Sequence, residues 1–407
     1  MNVAGIIAEY NPFHRGHEYL IEKARTECGA DLVISLMSGN FVQRGEPAVF
    51  DMSVRSEMAL SHGSDMVFEL PPHIALSSAE GFASGAVSIL DKLGIDTLIF
   101  GSESGDTCAL EKTAEIIAFE SDDYKSSLKA GLKQGLSFPA ARETAVLASV
   151  PFESGLNQSV LHEILQNPND ILALEYLKAI KKGGLSTAFH SVKRINSSYH
   201  GKEKDCDDPS YSAETIRGLI FEDNDDTRNP DTYITDAVNK YGTVHRDSLT
   251  PLLLYVLISD GLEERLVRAA VPESLSNRIL KNRHFKGSFG GLCTLLKTRD
   301  ITYTAVSRHL LHLILNMDYT DPSIYRERDF VRLLGFKRDA SDAFEEIKKR
   351  SKLKLITNSS DIKAYLQDGK DPELLKTELR IDETYNSLNI DNSVPVISEV
   401  NRRIIIC

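Results

Sequence analysis

Apolar positions in the first 220 residues fall into runs of two alternating kinds. Val3 to Ala8 is continuous and apolar and ends at a polar loop, as a strand buried on both faces of a parallel sheet would. Asp31 to Met37, Met66 to Leu70, Thr97 to Phe100 and Ser186 to Ile195 read as further strands, the third stopped by Pro71-Pro72 and the fourth by Gly101. Helical periodicity separates them at Glu18 to Ala24, Val54 to Leu60 and Ala79 to Leu93, where Gly94 is a helix stop. A long helical stretch spans Leu110 to Ala148. An Asn or Asp cap in Pro168-Asn169-Asp170 opens Ile171 to Ile180, and Ala213 to Phe221 is another helix. Alternation on this scale predicts an α/β fold with a doubly wound parallel sheet. Ligands of such sheets bind beyond the carboxyl ends of the strands, so the loops after Ala8, Met37 and Phe100 are where chemistry is expected.

The pattern changes after Phe221. Residues 222–232, beginning Glu-Asp-Asn-Asp-Asp-Thr-Arg-Asn-Pro-Asp, form the best linker in the chain. Leu249 to Ile258, Glu263 to Ala270, Leu275 to Leu280 and Ala305 to Leu315 then read as helices of a separate domain. The expected division is a nucleotide-binding unit over 1–221 and a mainly helical unit over 233–407. There is no internal repeat and no low-complexity tract.

Charge sharpens this division. The 407 residues carry a net charge of -12, which by itself disfavours a nucleic-acid partner. From Arg278 to Arg308, however, seven Lys or Arg face one acid, Asp300, a local charge of +6. Lys348-Lys349-Arg350 with Lys352 and Lys354 forms a second basic cluster. Five scattered cysteines argue against a disulfide framework or zinc ribbon and fit a reducing cytoplasm. No apolar run approaches the roughly 20 residues of a membrane helix, and the first residues lack a signal peptide's basic flank.

The strongest chemical signal directly follows the first strand: Asn11-Pro12-Phe13-His14-Arg15-Gly16-His17. A helix beginning here offers free N–H groups and a positive dipole end to phosphates. Gly16 lets a nucleotide approach the backbone, and His14 and His17 can donate to phosphate oxygens that gain charge in a transition state.

This segment resembles the nucleotide-binding signature of the HIGH-motif nucleotidyltransferase superfamily. Tyr211-Ser212-Ala213-Glu214-Thr215-Ile216-Arg217 is similar to its Ser-Ser-x-x-Ile-Arg segment, with Ala213 where that pattern has a hydroxyl residue. Ser38-Gly39-Asn40-Phe41-Val42-Gln43-Arg44-Gly45-Glu46-Pro47-Ala48, Phe68-Glu69-Leu70-Pro71 and Phe100-Gly101-Ser102-Glu103 narrow the resemblance to the tRNA(Met) cytidine acetate ligase family. It implies a Rossmann-like sheet and formation of acetyl-adenylate and pyrophosphate from ATP and acetate. The acetyl group then passes to N4 of the wobble cytidine of elongator tRNA(Met), in the cytoplasm.

The resemblance assigns Ile7-Ala8-Glu9-Tyr10-Asn11-Pro12-Phe13-His14-Arg15-Gly16-His17-Glu18-Tyr19-Leu20 to ATP, with His14 and His17 catalytic. Gly101, Asn169, Arg194, Ser212, Thr215 and Arg217 join them. The missing side chain of Gly101 leaves room for adenine or ribose, Arg194 can pair with phosphate, and Asn169 also reads as a helix cap. Activation of acetate needs no nucleophilic side chain, so catalysis is positioning and charge stabilisation, with Mg²⁺ accompanying ATP and no protein metal ligands identified. Ser38, Gly39, Asn40 and Gln43 are candidates for holding acetate or the incoming base. Lys281, Arg283, Lys286, Lys297 and Arg299 are candidates for the tRNA backbone, with Phe285 and Tyr303 for base stacking. The alternatives are a small-molecule adenylyltransferase, which would leave the basic helical region unexplained, and a nucleotide-binding module without catalysis.

Overall fold

A computed structural model describes residues 1–150, 156–194, 212–221, 231–321, 327–388 and 398–407. The linker residues 222–230, Tyr211 and Ile195 lie outside the described residues. The expected parallel sheet is present. Strands β1 (Val3–Ala8), β2 (Leu32–Ser38), β5 (Met66–Leu70), β6 (Thr97–Ser102) and β7 (Ala188–Lys193) lie in the order β5-β2-β1-β6-β7, all parallel. Between β2 and β5 a short antiparallel hairpin pairs β3 (Phe41–Val42) with β4 (Glu46–Pro47). The order reverses at β1, whose carboxyl end therefore sits at the switch point.

Alternate residues of each strand enter opposite cores. Leu32, Ile34 and Leu36 of β2 pack with Phe68 and Phe100 on one face, while Val33 and Met37 pack with Ile6, Val67 and Ile99 on the other. A third apolar cluster joins the helices Thr250–Ile258, Leu262–Arg268, Glu273–Lys281, Phe289–Leu296 and Tyr303–Ile314. Phe41 of the hairpin and Leu76 also enter this cluster, so the helical region is seated on the loop after β2.

Three expectations are corrected. The stretch Leu110 to Ala148 is three helices, Thr107–Phe119, Asp122–Lys133 and Phe138–Ser149. Glu120 and Gly135, at φ 43° and 82°, turn the chain out of the helical conformation between them. The second half of the chain, expected to be helical, contributes β8 (Phe330–Phe336), β9 (Lys354–Ile356) and β10 (Ile405–Ile406). β8 pairs antiparallel with β5, and β9 and β10 both pair with β8, so the sheet is not confined to residues before 222. Arg332, buried at the centre of β8, is neutralised by Glu69, Asp382 and Glu399 at 3.1, 2.7 and 3.4 Å, partners remote in sequence. Finally, Asn169 is not a cap. The helix Pro168–Gly183 has Asn167 at its N-cap, and the Asn169 amide donates to Glu103 at 2.5 Å.

Candidate active site

Helix α1 (Arg15–Thr26) begins directly beyond the carboxyl end of β1. His14 is its N-cap. The His14 Nδ1 accepts from the Gly16 N–H at 3.0 Å, and the His17 Nδ1 accepts from the His14 N–H at 3.2 Å. The two rings stack at 3.8 Å. A Cβ on Gly16 would lie 2.8 Å from His14 Cε1, so glycine is required for the ring to fold over the cap. Burial, with Arg194 and Arg217 nearby, pushes His14 down to about 4. Burial, with His14 and Arg194, pushes His17 well below the usual imidazole range. Both rings are therefore neutral near pH 7. Because each Nδ1 is an acceptor, each proton resides on Nε2. The arrangement is a pair of Nε2–H donors beside a helix N-terminus, suited to a phosphate that gains charge.

Several other expected residues converge here. Arg217 Nη1 donates to the Asn11 carbonyl at 2.7 Å, joining helix Ala213–Phe221 to the histidine loop. Ser212 caps that helix, accepting from the Thr215 N–H at 3.1 Å with the two hydroxyls 2.9 Å apart. Gly101 on β6 and Arg194, the first residue beyond β7, are neighbours. A Cβ on Gly101 would stand 3.4 Å from Arg194 Cγ. Asn169 reaches this end through Glu103, which also accepts from the Asp170 N–H at 3.0 Å. Arg15 turns away to Asp231 at 2.8 Å, so only its backbone belongs to the helix start.

Asn40 differs from expectation. It is 1% exposed and both ends of its amide are used, accepting from the Met52 N–H and donating to Asp382. The Ser38 hydroxyl is buried with no hydrogen-bond partner among the described residues. The Asn40 amide supports the loop from beneath, whereas Gln43 lies at its rim. The Gln43 N–H donates to Glu9 Oε1 at 2.9 Å, and its carbonyl accepts from Arg308 at 3.2 Å. Gly45, at φ 79°, lets helix Tyr303–Ile314 approach, because a Cβ there would be 2.4 Å from the Arg308 nitrogen. Gly39 likewise admits Glu69, whose Oε1 would be 2.6 Å from a Cβ.

Two connecting residues escape sequence reasoning. Arg55 in α2 (Met52–Ser61) is wholly buried and donates to four carbonyls: Glu9 at 2.7, Ser38 at 2.9, Gly39 at 2.5 and Phe50 at 2.9 Å. It ties the loop after β1 to the loop after β2. Asp170 bonds Ser102 and the Ser104 N–H, fixing the loop after β6. An arginine inside a helical run and an Asp beside an expected cap carry no distinctive sequence signal.

In the helical region Lys281, Lys286, Lys297 and Arg299 are exposed and Arg283 is partly buried. Phe285 and Tyr303 are partly buried and pack against the helical core, and Tyr255 is 66% exposed. Among the described residues no group of three or more His, Cys, Asp or Glu could hold a metal, and no helix is long and apolar enough to cross a membrane.

A parallel sheet with neutral, stacked histidines at the first helix start is the architecture of a nucleotidyl transferase, and residues 1–396 match the family described as HIGH Nucleotidyl Transferase. Within that class, the chain is 38% identical to the tRNA(Met) cytidine acetate ligase of Thermoanaerobacter sp. (strain X514) over 93% of this chain and 94% of that one. The enzyme of the same name from Clostridium perfringens (strain SM101 / Type A) is 34% identical over 96% of each. The crystal structure of Thermotoga maritima TmcAL bound with alpha-thio ATP has a TM-score of 0.82 at 29% identity, covering 96% of this chain and 95% of that one. Its apo form gives 0.86 at 28% identity over the whole of both. The chain belongs to the tRNA(Met) cytidine acetate ligase family.

Proposed function

We propose that this chain is an ATP-dependent ligase that forms acetyl-adenylate and transfers the acetyl group to N4 of the wobble cytidine of elongator tRNA(Met). The observation that carries the reading is the stacked pair His14 and His17, each holding a proton on Nε2 at the N-terminus of α1. In the first step an acetate oxygen attacks the α-phosphorus and pyrophosphate leaves. Acetate is already an anion, so no base is needed. The two imidazoles, the start of α1, Arg194 and Arg217 stabilise charge on the phosphates. ATP lies along residues 7–20, with adenine or ribose at Gly101 and the capped start at Ser212 and Thr215 on the phosphate side. Mg²⁺ would accompany ATP and neutralise charge on its phosphates. In the second step N4 attacks the acetyl carbon and AMP leaves. The exposed Lys281, Lys286, Lys297 and Arg299, with Arg283, hold the tRNA backbone, and the protein works in the cytoplasm.

The test is pyrophosphate release from ATP without tRNA. It should require acetate. Release driven instead by a phosphorylated metabolite, with acetate inert, would favour a small-molecule adenylyltransferase.

A further inference from the structure

Glu9 lies in the proposed ATP segment at the switch point, but its carboxylate has no part in stabilising charge on the phosphates. It is the first residue beyond β1, and its backbone is fixed: its carbonyl accepts from Arg55 at 2.7 Å. Tyr10 follows at φ 48°, a conformation that turns the chain sharply toward the histidine loop. The Tyr10 hydroxyl is committed to Ser35 at 2.8 Å, and its ring stands edge-on to His17 at 4.8 Å. Glu9 Oε1 accepts from the Gln43 N–H at 2.9 Å, so the carboxylate lies on the β2 side of β1, between the histidine loop and the loop after β2. Among the described residues Oε2 has no hydrogen-bond partner.

A carboxylate in this position is the wrong group for the first step. Both reactants of that step are anions and call for donors, whereas an ionised carboxylate only accepts. The proposed place of adenine or ribose is Gly101, on the β6 side of β1. The remaining reactant is cytidine, whose N4 amine is an N–H donor that Glu and Asp side chains accept from. That amine is also a poor nucleophile, because its lone pair is delocalised into the ring, and it must shed a proton as it is acylated.

We propose, on the basis of the acetate-ligase reading above, that Glu9 accepts a hydrogen bond from N4 of the target cytidine and takes its proton during acetyl transfer. As N4 bonds to the acetyl carbon, the bond between that carbon and the phosphate oxygen breaks. The electron pair of the broken bond leaves with AMP, and the N4 proton moves to Glu9, which releases it to solvent after the product departs. The surroundings suit this role. Burial raises the carboxyl above its ordinary value, toward the pH at which a base works best, while the Gln43 N–H, Arg44 and Arg217 oppose the rise. The other ionisable groups around it are Glu46 on the hairpin, Arg55 on α2 and Tyr176 on the helix Pro168–Gly183.

The experiment starts from synthetic acetyl-adenylate and an elongator tRNA(Met) transcript, which bypasses the ATP step. Single-turnover acetylation is followed as a function of pH, with the enzyme-free reaction subtracted. Glu9→Gln keeps an oxygen for the Gln43 N–H but cannot take a proton. It should slow transfer by about 10²-fold or more and abolish the acid limb of the wild-type profile. Glu9→Asp should be slower than wild type but retain that limb. Thermal melts of the same samples establish that both variants are folded. A folded Glu9→Gln protein that transfers within about threefold of wild type, with the limb intact, overturns the proposal and leaves Glu9 a loop support. If the wild-type enzyme transfers nothing to tRNA, the underlying ligase reading fails, and the assignment of Glu9 with it.

Discussion

Two buried polar regions flank the carboxyl ends of β1 and β2, and they are built on opposite principles. At the start of α1, His14 and His17 spend one ring nitrogen each on backbone N–H groups and keep the other. Behind β2 and β5, Arg332 is shared by Glu69, Asp382 and Glu399. Arg402 pairs with Glu399 and with Asp51 at 2.6 Å, the N-cap of the helix that carries Arg55. In the first region, hydrogen bonds orient groups whose remaining capacity is left for a ligand. In the second, Arg332 and Arg402 are each paired with carboxylates of the same chain, and the result is a fixed platform under the loop at 38–47. Burial and altered protonation occur in both, so neither feature by itself marks a site. What separates them is whether the buried groups are paired with opposite charges of the same chain.

Removing a leftover donor should damage chemistry more than folding. His14→Ala or His17→Ala is expected to slow acetate-dependent ATP–pyrophosphate exchange by about 10²–10³-fold with the fold retained. A folded double variant within about tenfold of wild type would break the comparison at its functional end. Removing a spent charge should do the reverse. Arg332→Ala leaves Glu69 and Asp382 without their arginine and should cost roughly 3–5 kcal/mol in urea unfolding. A loss below about 1 kcal/mol would mean that the platform is not held by charge.

The platform also carries a pH signature. Glu69 is pushed up to about 7 by burial and by the neighbouring Glu378 and Glu399, against the pull of Arg332. The folded state therefore holds this proton more tightly than the unfolded chain. That contribution is fully present below the ordinary value of 4.5 and is lost as pH rises through 7, at up to about 1.4 kcal/mol per pH unit. Glu69→Gln cannot lose it, so its stability relative to wild type should improve between pH 5 and pH 8. A difference that is the same at both pH values contradicts the protonated platform. The smallest effect concerns the surface remote from both regions. Lys281, Lys286 and Lys297 changed together to Ala should flatten the log–log salt dependence of tRNA binding by about 0.7–0.9 for each phosphate no longer neutralised. Binding assays at several salt concentrations decide this, and an unchanged slope makes the patch an ordinary solvated face.

The two regions were unequally legible in the sequence. The histidine site is local. His14, Gly16 and His17 sit within one helical turn of one another, six to nine residues past the end of an apolar strand, and the parallel strands β1, β2, β5, β6 and β7 are each legible from a local run. The platform is nonlocal. Phe330-Val331-Arg332-Leu333-Leu334-Gly335-Phe336 is an apolar run broken by an arginine, too short for periodicity to separate strand from helix. Only Glu69, Asp382 and Glu399, brought together by folding, make that arginine tolerable at the centre of a strand. The same holds for Asn40, whose place in a loop of small and amide residues suggests a ligand contact, whereas its amide is consumed by Met52 and Asp382. Residue type and spacing expose candidate donors, but whether a donor is already spent depends on contacts from elsewhere in the chain.

The most direct test combines wild-type protein, ATP, isotopically labelled acetate and an elongator tRNA(Met) transcript, followed by nuclease digestion of the RNA to oligonucleotides and fragment mass analysis. The expected result is labelled N4-acetylcytidine, confined to the wobble position, formed only when ATP is present and absent with the His14→Ala, His17→Ala double variant. ATP consumption and pyrophosphate release without label in the RNA, or label that does not require the two histidines, would contradict the proposed chemistry.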